Sequence, residues 1–551
     1  MSNQLGTMTR RTLVAGSAAV ATAGSSIMKI SAAQDDDQPN VVEGNFEGEP
    51  SQGGHLSISW GEPPTMDNRV SGSTEWWRAG YAIFDTLIYQ EAGTLELYPG
   101  LAESWEISED GTEYTFKLKE GVTFHDGEPF NAEAVKYTFD SIQDPALKSL
   151  TAIGYLGPYK ETQVVDEYTA KVVFTEPYAP FLNNLTHSVL APVSPVAGAD
   201  YETFAFHPVG TGPFKFKEFI PQISMTFERN PDYNWGPEFW HNKGPAHIDE
   251  VTFRFVPTGE LATRLGLLES GEVQLTSGVA PQELTNLQDD GYYQVLLPDV
   301  PGSPQIMPLN LLKAPTDDLL VRQAMLYAVD MDAIVDTLWF GGRRAAKGPL
   351  SSPTVGYEPA VEEYYPYDPE KANQLLDEAG WTMGDDGIRV KDGQRLEMLT
   401  IITVGIEAKS GELVQAYLKE VGIDNQVDAQ EYAQTAPRFL AGEHNIARVY
   451  FSHTDPVVLT TLYHSKNIEG TGFNRTMKPD PELDSMLDAA QAEMDPDTRL
   501  QMYSDIQKYI MDNALMIPRW EERVFWVGEQ NVYGLHFQPL GGPWLNDIWF
   551  D

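Results

Sequence analysis

The sequence predicts a mixed α/β fold, of the α+β kind with more than one sheet. Strand-like runs of period 2 and helix-like runs of period 3.6 are interspersed without strict alternation. Three helices are opened by the same start signal, an Asp-Pro pair. At 551 residues and 42% hydrophobic content the chain can hold three or four average domains or two large lobes.

Taken from the N-terminus, Thr9-Arg10-Arg11-Thr12-Leu13-Val14 resembles a twin-arginine export motif, followed by a short, weakly hydrophobic run rich in alanine and glycine. That run is too short and too polar to span a bilayer, and Ser31-Ala32-Ala33 places small residues for cleavage after Ala33, so residues 1–33 are expected to be a signal peptide. Residues 34–54 carry six acids and no Lys or Arg, and are expected to be a flexible acidic leader.

From Ala102 to Val135 the order of turns is legible. Tyr114, Phe116 and Leu118 alternate with polar residues, the pattern of a strand with one buried face, and Asp110-Gly111 turns the chain into it. Gly121 bends the chain, Phe124 returns to the core, and Asp126-Gly127 turns again before Asn131, the expected N-cap of a helix carrying Ala134, Val135 and Phe139. Three prolines between Pro298 and Pro304 mark a connection, because proline cannot sit in a central strand. One helix is expected near 317–340, ending at Gly341-Gly342. Asp368-Pro369, Asp480-Pro481 and Asp495-Pro496 open the three helices just mentioned: Asp accepts an orphan N–H, and Pro lacks the N–H that would go unpaired. The apolar segment after Val532 is expected to return to the first part of the fold.

Charge and motifs narrow the function. The formal charge of −44 repels phosphate backbones, so nucleic acid is excluded as a partner. With no cysteine there is no disulfide, thiolate site or lipid-modified cysteine anchor. The chain has no HExxH pair, no GxSxG elbow and no Gly-Lys dipeptide for a phosphate loop. Gly210-Thr211-Gly212 reads as a structural turn, and His241 with His247 as a polar surface loop. No catalytic residue, metal site or cofactor is expected, and the reading is a binding protein, not an enzyme.

Several segments also carry a family likeness. They are the run 102–135, FDTLIY from Phe84, PVGTGPFKF from Pro208, ERNPDYNWG from Glu228, VRQAMLYAVDMDAIV from Val321 and YDPEKANQLLDEAGW from Tyr367. In this order they resemble the extracytoplasmic solute-binding proteins of peptide/nickel-type ABC importers, solute-binding family 5, over roughly residues 55–551. The resemblance implies a two-lobed periplasmic-binding-protein-like fold of type II, cluster C-like. Lobe I would span 55–297, with an extra subdomain at about 93–204, lobe II 298–525, and 526–551 would return to lobe I. It further implies a monomer outside the cytoplasm that closes on a small-molecule ligand and delivers it to an ABC permease complex in the membrane.

A closing cleft needs aromatic area and a few orienting polar groups. Two segments look suited: Ser71 to Trp77, supplying Thr74, Trp76 and Trp77, and Arg448 to Pro456, supplying Tyr450, Ser452 and His453; Asn310 completes the candidate set. Peptide-binding relatives place an aspartate for the peptide's α-ammonium three positions before the acid of an acidic-Pro pair. If Asp455-Pro456 is that pair, the position is Ser452, whose hydroxyl cannot neutralise an ammonium, which puts free-amine peptides in doubt. Oligopeptide and oligosaccharide ligands are nearly level, with peptide slightly ahead and a metal chelate also open. The alternatives are a secreted hydrolase and a chemoreceptor or chaperone binding protein without a transport role.

Overall fold

The computed structural model describes residues 42–149, 151–469 and 472–551. The arginine pair, the Ala33 site and the acids before Val42 lie outside the described residues. The described residues form one compact unit of mixed helix and strand.

A seven-stranded sheet is centred on His55–Trp60, which runs parallel to Glu250–Phe255 on one side and to Leu275–Ser277 on the other. Leu56, Ile58 and Trp60 point into a core shared with Trp76, Phe84, Phe227 and Trp526. Trp526–Glu529, from the far end of the chain, lies antiparallel between Leu275–Ser277 and Tyr293–Leu296. A second core, built mostly between Leu296 and Trp526 but joined by Leu268, Val273, Leu284 and Val527, holds the pair Gln305–Pro308 and Met516–Trp520 among helices. Where the chain leaves the seven-stranded sheet after Leu296 and where it returns before Trp526, Asp299 and Arg523 form an isolated antiparallel bridge.

The segment 102–142 folds as its turns dictate. Ala102–Ile107 and Glu113–Leu118 pair, Thr169–Phe174 and Tyr159–Asp166 extend the sheet, and Tyr114, Phe116 and Leu118 are buried beneath the helix Ala132–Ile142. The Asn131 side chain accepts from the N–H groups of Glu133 and Ala134. Asp368, Asp480 and Asp495 each accept from the N–H three residues on, at the heads of Pro369–Glu378, Pro481–Ala492 and Pro496–Asp512.

Two expectations are corrected. The helix at 317–340 is two helices, Leu319–Ala328 and Met331–Trp339, because Val329 turns to extended backbone and Asp330 caps the N–H of Ala333. Residues 42–54, expected to be part of a flexible leader, are tied down: Gly44 N–H donates to Leu535 O at 2.7 Å, Gly53 N–H donates to His247 O at 2.8 Å, and Phe46 lies 4.5 Å from the His241 ring. Acid content hid that anchoring, since backbone donors and one phenylalanine carry it.

Three of the segments that carry the family likeness meet at one buried carboxylate. Asp85 of FDTLIY accepts from Tyr89 and Tyr233 hydroxyls at 2.6 and 2.9 Å, from Thr211 at 2.8 Å and from the Trp235 indole at 2.9 Å. Gly210 and Gly212 lack a Cβ for a related reason: one would come within 2.1 and 2.8 Å of Ile83 O. That turn is structural, as the sequence suggests.

Candidate functional site

Between the body built on the seven-stranded sheet and the body built on the second core lies a small cavity of about 20 Å³, room for roughly one water-sized sphere. The first supplies Tyr81, Tyr89 and Gln90, then Tyr155, then Asn183, Thr186 and His187, and finally Pro539, Leu540 and Trp544. The second supplies His453 and Thr454. Each contribution follows from local folding. Tyr81 lies in the one-turn helix after Trp77, Tyr89 in the short strand Ile88–Gln90, and Thr186 and His187 just before the turn Ser188–Leu190. Pro539 to Trp544 belong to the C-terminal return.

Aromatic faces dominate this wall, and its unmet polar atoms reveal what it lacks. Tyr155 Oη, His187 Nε2, Trp544 Nε1 and Gln90 Oε1 are buried without a hydrogen-bond partner. His187 Nδ1 accepts from Val189 N–H at 3.2 Å, so in the neutral ring Nε2 carries the proton. The cavity thus offers three donors and one acceptor in want of partners. Buried polar groups are almost always paired, so four such orphans on residues lining one small cavity mark a place for water or for the polar groups of a ligand.

Across the cavity an aromatic chain joins the bodies. Trp77 meets His187 edge-on at 4.9 Å, His187 meets Tyr155 at 4.6 Å, and Tyr155 stacks on His453 at 4.9 Å. Burial pushes both imidazoles down, His187 to about 3 with help from His453, and His453 to about 4 against the pull of Asp455. Both rings are therefore neutral at physiological pH.

Below the stack, Asn183 Nδ2 donates to Asp455 Oδ2 at 2.7 Å, a polar bond between the bodies. Asp455 is wholly buried and held bidentately by Arg499 at 2.9 and 2.7 Å. Burial alone would raise its carboxyl; Arg499's charge and hydrogen bonds outweigh that and hold it below the ordinary carboxylate range. Asp455 Oδ1 also accepts from Val457 N–H at 2.8 Å, just ahead of the helix Val458–Tyr463, whose N-cap is Val457.

The seven candidate residues fare differently. His453 lines the cavity. Tyr450 stands beside it, with Ser452 hydrogen-bonded to its phenol, while the Ser452 backbone pairs with Gly302. Trp77 supports His187 from behind and spends its N–H on Ser71 O at 2.9 Å. Trp76 is fully buried and packs edge-on to Phe84 and Phe227, so it is a core residue and not a cleft residue. Thr74 donates to Glu75 at the mouth of its helix, and Asn310 spends both amide hydrogens on Gly442 O and His444 O, leaving neither aimed at the cavity. The WW pair read as one aromatic feature because sequence does not show which way successive helical residues face. Sequence reasoning missed Tyr81, Tyr89, Tyr155, His187 and Trp544, which come from distant segments with no common spacing.

Among the described residues no group of three or more His, Asp or Glu is placed to hold a metal, and no helix is long and apolar enough to cross a membrane.

Comparison with known proteins gives a consistent result. The family model described as bacterial extracellular solute-binding proteins, family 5 middle, matches residues 96–470. The glutathione-binding protein GsiB of Shigella flexneri is 29% identical over 455 residues, which covers 80% of this chain and 84% of that protein. Among solved structures, NikA from Brucella suis, in complex with Fe(III)-EDTA, superposes with a TM-score of 0.78 at 27% identity over 89% of this chain and 98% of its own. The periplasmic binding protein DppA from Helicobacter pylori, in complex with the peptide STSA, gives 0.75 at 26% identity over 91% and 98%.

Proposed function

The chain belongs to the bacterial extracellular solute-binding proteins of family 5, with their two-lobed mixed α/β fold, and on that footing we propose that it captures an oligopeptide-like ligand between its lobes and delivers it to an ABC permease. On this reading the lobes are 55–297 with 526–551 against 298–525, and the crossings near 297–308 and 519–529 serve as the hinge. The observation that carries the reading is the interlobe cavity with its four orphaned polar atoms.

Peptide units suit this wall. Their carbonyls can accept from Tyr155, His187 and Trp544, an N–H can donate to Gln90, and aromatic faces take up apolar side chains. GsiB is named for glutathione and DppA was solved with a peptide, so amide-rich ligands have support, whereas the oligosaccharide reading has none beyond the aromatic residues. The protein acts as a binder and not an enzyme, as a monomer outside the cytoplasm after export by the twin-arginine-like signal.

A thermal-shift titration of the whole chain with di- to hexapeptides and glutathione tests this. A saturable rise in Tm supports the reading, since a ligand that binds only the folded state at 100 times its Kd contributes about 2.7 kcal/mol. No rise with any peptide contradicts it.

A further inference from the structure

The segment 102–135 lines no part of the cavity, yet its first tight turn meets the second body. A Cβ on Gly111, whose φ of 68° favours glycine, would stand 2.7 Å from Cγ and Sδ of Met494 and 3.3 Å from Cβ of Pro177. Met494 lies in the corner between the helices Pro481–Ala492 and Pro496–Asp512, but it packs against the core that holds Tyr114, Phe116 and Phe174. The strand after the turn sets a second contact. Tyr114 donates its hydroxyl to Tyr178 O at 2.9 Å and so fixes the loop between Pro177 and Pro180, where each proline also holds its own φ. From that loop Ala179 N–H donates to Gln491 O at 2.9 Å.

Gln491 O is one of the carbonyls that a helix end leaves without an intrahelical partner. Two neighbours are met from within the second body: Glu493 N–H donates to Ala489 O at 3.1 Å, and Arg499 Nε donates to Ala490 O at 3.1 Å. The first body therefore completes the C-terminus of a helix in the second. Arg499 also holds Asp455, which accepts from Asn183 at 2.7 Å. Ala179 and Asn183 thus present two donors from one short stretch to one corner braced by a single arginine. Of the residues in this seam only Asn183 lines the cavity.

We propose that the seam is a clasp for the closed form: the Asp110-Gly111 turn and the loop 177–183 grip the corner 491–494 when the lobes meet, and they favour closure by the same amount whatever the cargo. This rests on the proposed capture of a ligand between the lobes. A contact made outside the cavity and only in the closed form shifts the open–closed equilibrium, so every ligand that binds the closed form gains the same factor in affinity. Cavity residues then discriminate among ligands, and the clasp sets their common strength. The strand and turn of 102–135 acquire a part in function as the first body's half of that clasp.

Met494→Glu tests it by setting a charge against the Gly111 turn. In the ligand-free chain, double electron–electron resonance between one label on each lobe should show the distances lengthen. In calorimetric titrations glutathione, Ala-Ala-Ala and N-acetyl-Ala-Ala-Ala should each lose affinity by one common factor, about tenfold, while Met494→Leu keeps the wild-type values. If Met494→Glu fails to fold, Met494→Ala, which removes the contact without adding charge, takes its place. Distances or affinities that the variant leaves unchanged overturn the clasp, as does a loss confined to one ligand, which would make the seam part of recognition. These results leave the capture reading standing. No binding of any of the three by the wild type contradicts the capture reading, and the ligand-free distances then decide the clasp alone.

Discussion

Tyr155 of one lobe and His453 of the other stack with ring centroids 4.9 Å apart and planes inclined by 22°. The contact closes one end of the cavity, and its members come from segments about three hundred residues apart. Under the proposed hinge closure the stack belongs to the closed geometry and is lost on opening. Both residues also face the ligand space, so each bears on closure and on recognition.

Tyr155→Phe separates those roles. The ring and its stack persist while the orphaned hydroxyl goes. Deleting an unpaired buried hydroxyl is neutral or slightly stabilising, whereas deleting one that bonds a ligand costs about 0.5–1.5 kcal/mol. The unliganded variant should melt no lower than the wild type, and peptide affinity should fall two- to tenfold; calorimetry and titration read the two effects.

Asp455→Asn should be severe. It leaves Arg499 buried without its charge partner, and breaking such a pair costs on the order of 3–5 kcal/mol. Urea denaturation would show the unfolding free energy fall by that amount, with a correspondingly lower midpoint. Asn183→Ala removes only the interlobe hydrogen bond, so it should leave global stability near wild type and favour the open form.

Acid should loosen the protein through its histidines. His187 and His453 titrate near 3 and 4 when folded against an ordinary 6.5, so the unfolded chain binds more protons in between. Their stabilising contribution is complete above pH 6.5 and is lost as pH falls toward 4. His125 and His444, also held near 4, add to the same slope. His453→Gln should flatten the fall in Tm between pH 6.5 and 4 relative to wild type. An unchanged slope would show that His453 takes up its proton without cost in the folded state.

Trp76 provides a contrast with the cavity residues. Trp76→Ala should cost about 3–5 kcal/mol by opening a core cavity. Trp76→Phe should cost far less, since the indole N–H has no partner, and should leave ligand affinity intact. A specific loss of affinity in the phenylalanine variant would return Trp76 to the cleft.

The sequence disclosed what is decided locally. Asp-Pro caps, the Asp110-Gly111 and Asp126-Gly127 turns and the alternation of Tyr114, Phe116 and Leu118 each act within a few residues, and each appears where it was read. The break at Val329-Asp330 was hidden because apolar periodicity continues through it, and only the cap geometry of Asp330 shows two helices. The cavity was hidden for a different reason: Tyr81, Tyr155, His187 and Trp544 share no spacing and meet only through tertiary packing. His453 was found because it adjoins Asp455-Pro456, where the family resemblance supplied a register.

Ligand-driven closure can be measured cleanly, because the sequence has no cysteine to compete for a label. Spin labels at Lys160→Cys and Glu482→Cys, both exposed, would sit on opposite lobes. Double electron–electron resonance on stripped protein, with and without a saturating library of free and N-acetylated di- to hexapeptides, should show a broad, longer distance collapse to the single short distance of the closed form. A distribution that the library leaves unchanged would contradict the account.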